Sequence, residues 1–465
     1  MTVQVTVLQS LARFVASLAL CALASGCASL PAIRYIDRSL TAPAAPAVVS
    51  ANGAVSARRA SALLAKRYRS SDVDAKALAA QEEAATGSPL VAGNKITLLY
   101  DGPQTMTAML DAISNAKDHI NLETYIFEQD EIGLRFADLL IAKQTAGVKV
   151  SIIYDSVGTL ATPQAFFDRM RDAGIQLLAF NPVNPLKAIK GWKVNQRDHR
   201  KILIVDGLVA FTGGVNISAT YSTSSGSRTF SGKPDTKTGW RDTHIRIEGP
   251  AVATLQWTFL RNWSAHHDGD LPQGQFFPPL KEVGDKLVRV LASEPGSDFD
   301  IYKAYVLAIR EAKKSIHITA AYFVPDVQVL QALTDAARRG VDVKLMLPGI
   351  TDSGLVYHAS RSFYDEMLAS GIKIYQYQDS VLHAKTAVID SIWSTVGSTN
   401  LDTRSFLHNS ELNVIVFGGQ FGAAMEAAFA GDLRNAKQVT KEEWARRPLI
   451  NRLKEITARM MEYWL

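Results

Sequence analysis

Apolar positions along this chain switch repeatedly between two spacings. Residues 96–102 read as a strand ending in a turn, 106–117 as a helix, 119–127 as a strand, 133–145 as a helix and 148–155 as a strand. Such alternation predicts an α/β fold in which a mixed β-sheet is flanked by helices. The pattern then recurs. Ala112, Ile113, Ala116, Lys117 and Ile120 reappear as Ala308, Ile309, Ala312, Lys313 and Ile316, and Gly147-Val-Lys-Val reappears as Gly340-Val-Asp-Val. The offset between copies drifts along the chain, which means two diverged domains with insertions rather than a solenoid of fixed period. The apolar run 412–431 is interrupted by Asn413, Gly418, Gly419, Gln420 and Glu426, so it predicts a strand followed by a packed helix, not a membrane span. Residues 441–465 predict a closing amphipathic helix.

The most informative recurrence joins pattern to chemistry. His199, Lys201, Asp206, Gly213, Gly214 and Asn216 are matched at identical offsets by His383, Lys385, Asp390, Gly397, Ser398 and Asn400. The residues between Lys and Gly are apolar and rich in β-branched types, as in buried strands. His and Lys two apart on a strand share a face. Asp206-Gly207 is a two-residue hairpin signal and Asp390-Ser391 a weaker one, so both Asp residues are expected to hold turns away from the chemistry. Gly213, Gly214, Gly397 and Ser398 are expected to let backbone approach a ligand, with Asn216 and Asn400 offering amides to an oxyanion. Lysine supplies fixed positive charge for phosphate oxygens and Asn neutral donors. One His can attack phosphorus while the other protonates the leaving oxygen. A single copy would equally well be a satisfied core histidine; two matched copies leave little room for that reading.

These residues carry a resemblance to the phospholipase D superfamily, whose signature is H-x-K-x4-D followed by G-G/S-x-N. The resemblance covers about residues 93–465. Leu401 to Phe406 and Asn409 to Asn413 resemble the bacterial cardiolipin synthase branch. It implies two tandem phospholipase D-like domains related by a pseudo-two-fold, with the active site between them. It further implies a carboxylate that orients each catalytic His through its other ring nitrogen. Glu411 matches that position in the second half and Asp242 in the first. The activity implied is phosphatidyl transfer between membrane phospholipids, phosphatidylglycerol or phosphatidylethanolamine, through a phosphohistidine on His199. The alternatives are hydrolysis to phosphatidic acid and the nuclease chemistry of the same superfamily; a catalytically dead scaffold ranks lower because both motifs are intact. No cofactor and no metal is implied: the histidines lie on separate strands without clustered carboxylate ligands, and lysine occupies the place a cation would take.

Composition narrows the setting. Of 465 residues 47% are hydrophobic and 20% charged, as in globular domains with full cores, and the net charge of +5 is mildly basic. That favours anionic partners such as phospholipid headgroups and is too weak to argue for nucleic acid, which is not expected to bind. Arg13, the apolar run 14–23 and Ala24-Ser-Gly-Cys27 read as a signal peptide over 1–26 with a lipobox-like end. Cys27 is then the expected lipid-bearing residue. The other cysteine, Cys21, would leave with the leader. The expected location is the bacterial cell envelope, facing the periplasm, with outer-membrane sorting suggested by Ala28. Residues 27–92 are expected to be a lipid-anchored tether with helices near 56–68 and 72–85. Residues 93–270 and 280–465 are the expected catalytic domains, joined by a linker rich in Gly, Pro and Asp. Lys187, Lys190, Trp192 and Lys193 form a basic stretch suited to an anionic surface, and 221–239 an extended Ser/Gly loop near the site.

Overall fold

A computed structural model of the chain describes residues 29–32, 45–67, 74–187, 192–223, 239–267, 269–297 and 299–465. Residues 1–31 separate as a unit of their own, and residues 32–465 form the body that carries both sequence copies. The leader and Cys27, residues 188–191 of the basic stretch and 224–238 of the expected loop lie outside the described residues.

The first copy contributes β1 (Leu90–Leu99), β2 (His119–Thr124), β3 (Lys149–Asp155), β4 (Gln176–Phe180), β5 (Ile202–Val205), β6 (Val209–Gly213) and β7 (His244–Glu248). The second contributes β8 (Lys286–Ser293), β9 (Ser315–Ala320), β10 (Asp342–Ile350), β11 (Lys373–Val381), β12 (Lys385–Ile389), β13 (Trp393–Gly397) and β14 (Asn409–Phe417). In space the first copy runs β4-β3-β2-β5-β6-β7-β1. The second continues as β8-β14-β13-β12-β9-β10-β11. The second order is the first run backwards. The copies join where β1 pairs antiparallel with β8, so the pseudo-two-fold passes between those strands.

The parallel strands β2, β3 and β4 are linked by helices, as parallel neighbours require. All six residues of β2 are buried, as expected of a central strand covered on both faces. The helices begin where the sequence offers caps. With α1 (Ala75–Thr86) preceding them, α2 (Gly102–Ser114) starts behind Asp101, whose side chain accepts from Gln104 N–H, and α3 (Glu131–Thr145) behind Asp130. Each half then ends its sheet with a helix, α4 (Val252–His266) in the first; α5 (Asp300–Glu311) and α6 (Val327–Arg338) precede α7 (Gly419–Leu433) in the second. The run 412–431 is thus strand, turn and helix. Among the described residues no helix is long and apolar enough to cross a membrane.

One apolar cluster spans both copies. Ile204, Ala210, Ile245 and Ile247 of the first pack with Val388, Val396, Leu412 and Val414 of the second, closed by Phe259 and Trp263 of α4 and Phe421 and Met425 of α7. Each fully buried aliphatic side chain of this kind contributes roughly 1.5–3 kcal/mol. The cluster therefore holds the two half-sites together.

Three segments differ from expectation. The expected tether is partly built into the body: Val48–Ser50 pairs with β1, and α1 lies against α5. Glu82 of α1 is fully buried, ion-paired to Arg289 of β8, and accepts a hydrogen bond from Trp393 Nε1 at 2.7 Å. An isolated buried carboxylate is too costly to keep, so its partners bind α1 in place. The linker after α4 is docked: Gln275 N–H donates to Asp118 and Phe276 meets His119 edge-on. The closing helix is broken at Pro448 into Lys441–Ala445 and α8 (Leu449–Arg459), because proline cannot continue the preceding turn.

Candidate active site

Both motifs form hairpins. Asp206 and Gly207 take φ of 54° and 64° between β5 and β6; Asp390 and Ser391 take 51° and 57° between β12 and β13. Two successive left-handed residues suit the twist of a tight hairpin, so the Asp-Ser turn adopts the same form as Asp-Gly without a glycine. The aspartates explain this. Asp206 accepts the N–H groups of Lys117, Asp118 and His119, and Asp390 those of Lys313, Lys314 and Ser315. Each Asp pins its hairpin to the start of β2 or β9, at the end far from the histidine.

The histidines sit just ahead of their strands, where each backbone crosses to the other copy. His199 follows a short strand, Arg197–Asp198, that pairs with the start of β14, and its N–H donates to Ser410 O at 2.9 Å. His383 N–H donates to Arg241 O at 2.8 Å, and Arg241 N–H to Val381 O at 2.9 Å. Ser410 and Arg241 are the residues immediately before Glu411 and Asp242. The pairing therefore delivers each carboxylate to the histidine of the opposite copy. His199 Nδ1 lies 3.0 Å from Glu411 Oε1, and His383 Nδ1 lies 2.6 Å from Asp242 Oδ2. The sequence match places Glu411 with the second half and Asp242 with the first; in space they are exchanged.

The glycines are closed off by protein rather than opened to an incoming ligand. A Cβ on Gly214 would lie 2.1 Å from Asp242 Oδ1, and one on Gly397 2.1 Å from Asn413 Oδ1. Gly213 is closed off in the same way by Thr243 and His244. Ser398 stands where Gly214 stands in the first copy, and its hydroxyl donates to Glu411. Asn409 Nδ2 adds a second donor to Glu411 at 3.2 Å, and Thr243 N–H donates to Asp242 at 2.7 Å. Lys201 Nζ donates back to His199 O at 2.6 Å, and Lys385 Nζ to His383 O. The asparagines are unlike each other. Asn216 is engaged by protein, accepting from Ile126 N–H at 3.2 Å and donating to Tyr221 Oη at 3.0 Å. Asn400 Oδ1 is buried and meets no hydrogen-bond partner among the described residues.

Burial dominates the electrostatics. It pushes Lys201 down to about 7 and Lys385 to about 8, although Glu411 and Asp242 nearby favour the charged forms. Burial, then the ammonium groups of Lys201 and Lys385, holds His199 well below the ordinary imidazole range. His383 is lowered by burial and by Lys385, against the pull of Asp242. Burial raises Glu411 to about 7. Asp242 resists burial because His383 and Lys385 hold it below the ordinary carboxylate range. The resting site thus holds both imidazoles toward the neutral form, while burial brings the two lysines close to losing their charge near neutrality.

Sequence reasoning missed the aromatic lining. Tyr125 meets His199 edge-on at 5.1 Å with Lys201 Nζ 5.3 Å from its ring centre. Tyr221 Oη lies 3.3 Å from His383 Nδ1, and Trp240 lies 5.3 Å from the same ring. Trp240 was within reach, being two residues before Asp242. Tyr125 and Tyr221 carry no spacing signal. Beneath the site, Asp155 accepts from Asp198 N–H at 2.9 Å and so fixes the segment that carries His199.

A family model described as "Cardiolipin synthase, PLD-like domain" matches residues 109–225 and 305–433. The chain is 35% identical over 378 residues to a cardiolipin synthase of Alkalihalophilus pseudofirmus, covering 80% of this chain and 73% of that protein. It is 35% identical over 372 residues to the major cardiolipin synthase of Bacillus subtilis, covering 79% and 75%. A phosphatidylserine synthase structure from Haemophilus influenzae shares the fold, with a TM-score of 0.57 at 12% identity over 80% of this chain and 95% of that one. The duplicated sheet, the paired motifs and these relatives agree: the chain belongs to the cardiolipin synthase family of phospholipase D-like proteins.

Proposed function

We propose that the chain is a phosphatidyl transferase that joins two phosphatidylglycerol molecules into cardiolipin, with 93–270 and 280–465 as its catalytic copies. The observation that carries this is the pair of imidazoles, each with Nδ1 held by a buried carboxylate, flanked by two buried lysines. Nδ1 is committed in both rings, so Nε2 is the nitrogen left for chemistry. Nε2 of His199 attacks phosphorus while the P–O bond to the headgroup glycerol breaks. His383 gives its proton to that oxygen and glycerol leaves. The hydroxyl of a second phosphatidylglycerol gives its proton back to His383 and attacks phosphorus; the P–N bond breaks and His199 is restored. Lys201 and Lys385 balance the charge on the phosphoryl oxygens. The entering phosphodiester anion favours protonation of His383, which the lysines disfavour in the empty site.

Purified protein incubated with phosphatidylglycerol in chelator should release glycerol and cardiolipin in equal amounts. Phosphatidic acid alone would make water the acceptor. No lipid product, together with efficient cleavage of single-stranded DNA, would overturn the reading in favour of a nuclease. Phosphatidylethanolamine as donor would release ethanolamine instead.

The relatives support a bacterial, membrane-associated protein. The lipobox-like Ala24 to Cys27 supports anchoring through a lipid on Cys27, and Ala28 the outer rather than the inner membrane. Cys27→Ser should abolish labelling by radioactive palmitate, and persistent label would sink that assignment.

A further inference from the structure

The last helix is inside out. A surface helix ordinarily turns its apolar stripe toward the core. In α8 the buried positions are Glu455 and Ala458, and the outward ones are Leu449, Ile450, Leu453 and Ile456, continued by Met460 at its C-terminal cap. Leu449 is 74% exposed and Met460 81%. The polar side faces the body through Glu455. Glu455 bonds Arg361 at 3.1 Å and Arg447 at 2.9 Å, and Arg447 stacks 3.8 Å from the Trp444 ring. These contacts fix the rotation of α8, so the apolar face cannot roll inward without breaking a buried ion pair.

We propose that this face lies in the bilayer interface and seats the catalytic body on an anionic phospholipid surface. Two features favour a lipid surface over a protein one. Exposed Lys454 flanks the stripe within α8 and exposed Arg446 precedes its first turn, and positive charge of this kind suits anionic headgroups. Tyr463 and Trp464 end it, and aromatic rings of that amphipathic kind favour the membrane–water boundary. The segment that follows α8 is tied toward the site. Leu465 O accepts from Arg404 N–H at 2.8 Å, and the Arg404 guanidinium reaches Asn195 O at 3.4 Å, four residues ahead of His199. A body held by α8 would therefore meet the bilayer near the segment that carries His199. An interfacial helix of this composition lies in the headgroup plane rather than spanning.

The proposal rests on phosphatidyl transfer being the activity, and its test separates the two. In the full chain, Ile450→Glu/Leu453→Glu/Ile456→Glu should cut transfer at least tenfold on phosphatidylglycerol vesicles and leave it unchanged in detergent mixed micelles. The micelle rate also reports folding. Independently of turnover, vesicles containing brominated phosphatidylglycerol should quench the tryptophan emission of the parent more than that of Trp464→Phe. The N-terminal segment is common to all these chains, so it cancels. Equal vesicle rates for parent and variant, or no Trp464-dependent quenching, would overturn the proposal. A parent that sediments as a dimer and a variant that sediments as a monomer would assign the face to a second copy of the chain. No product from the parent even in micelles would defeat the functional reading, while the quenching would still judge the membrane face.

Discussion

Replacing each carboxylate by its amide tests the exchange between copies. Glu411→Gln keeps shape and removes the charge 3.0 Å from His199 Nδ1. As His199 attacks phosphorus its ring becomes positive, and a hydrogen bond to a charged partner is worth about 1.5–3 kcal/mol. Its loss should slow formation of the phosphohistidine by a factor of roughly ten to a hundred and fifty. Asp242→Asn disturbs His383 instead. With a nitrophenyl phosphodiester the leaving group needs no proton, so attack by His199 should proceed almost unimpaired and only the second, water-dependent phase should slow. The assay is rapid mixing, with the burst of nitrophenol reporting attack and the steady state reporting resolution. Burial raises Glu411 to about 7, so the advantage of wild type over Glu411→Gln should be full above that pH and shrink below it as the acid takes up a proton. The reverse pattern, a burst lost in Asp242→Asn and kept in Glu411→Gln, would refute the exchange and return each carboxylate to its own half.

Burial has two further measurable outcomes. Lys201 and Lys385, lowered to about 7 and 8, should lose their charge as pH rises, so kcat/KM on a lipid phosphodiester should fall from near neutrality upward; a profile flat to about pH 10, where ordinary lysines titrate, would contradict this. Glu82→Ala should remove the carboxylate that faces the buried Arg289 guanidinium and cost about 3–5 kcal/mol in urea unfolding, whereas a loss under about 1 kcal/mol would mean α1 is not integral to the second copy.

The repeat was legible because both copies keep the same residue types at the same offsets, and the hairpins because Asp-Gly and Asp-Ser stand at the turns themselves; the amides that Asp206 and Asp390 accept from lie 87–89 and 75–77 residues away and were not. Nor was the exchange of carboxylates. It depends on Ser410 and Arg241 pairing with the backbone of His199 and His383 across the two copies, and His199 and Glu411 stand 212 residues apart. Gly214 suggests room for a ligand because a missing side chain looks the same in sequence whether a substrate or Asp242 fills the space. Residues 75–86 resemble a spacer because alanine-rich helices show no apolar stripe; in the fold Glu82 finds Arg289 and Trp393, and the carbonyls of Ala79 and Ala85 accept from Arg289 and Lys303. The break before α8 was available in Pro448, and the outward turn of its apolar face comes from Glu455, whose partners Arg361 and Arg447 no periodicity could name.

The central claim is that His199 carries the phosphatidyl group and His383 moves the proton. It is tested most directly by mass spectrometry of two chains quenched after reaction with a nitrophenyl phosphodiester. In His383→Ala, attack still occurs and resolution lacks its base, so the account predicts a trapped phospho-adduct on His199 in about one copy per active site. In His199→Ala it predicts none. An adduct on His383 in the His199→Ala chain, with none on His199 in the other, would contradict the assignment.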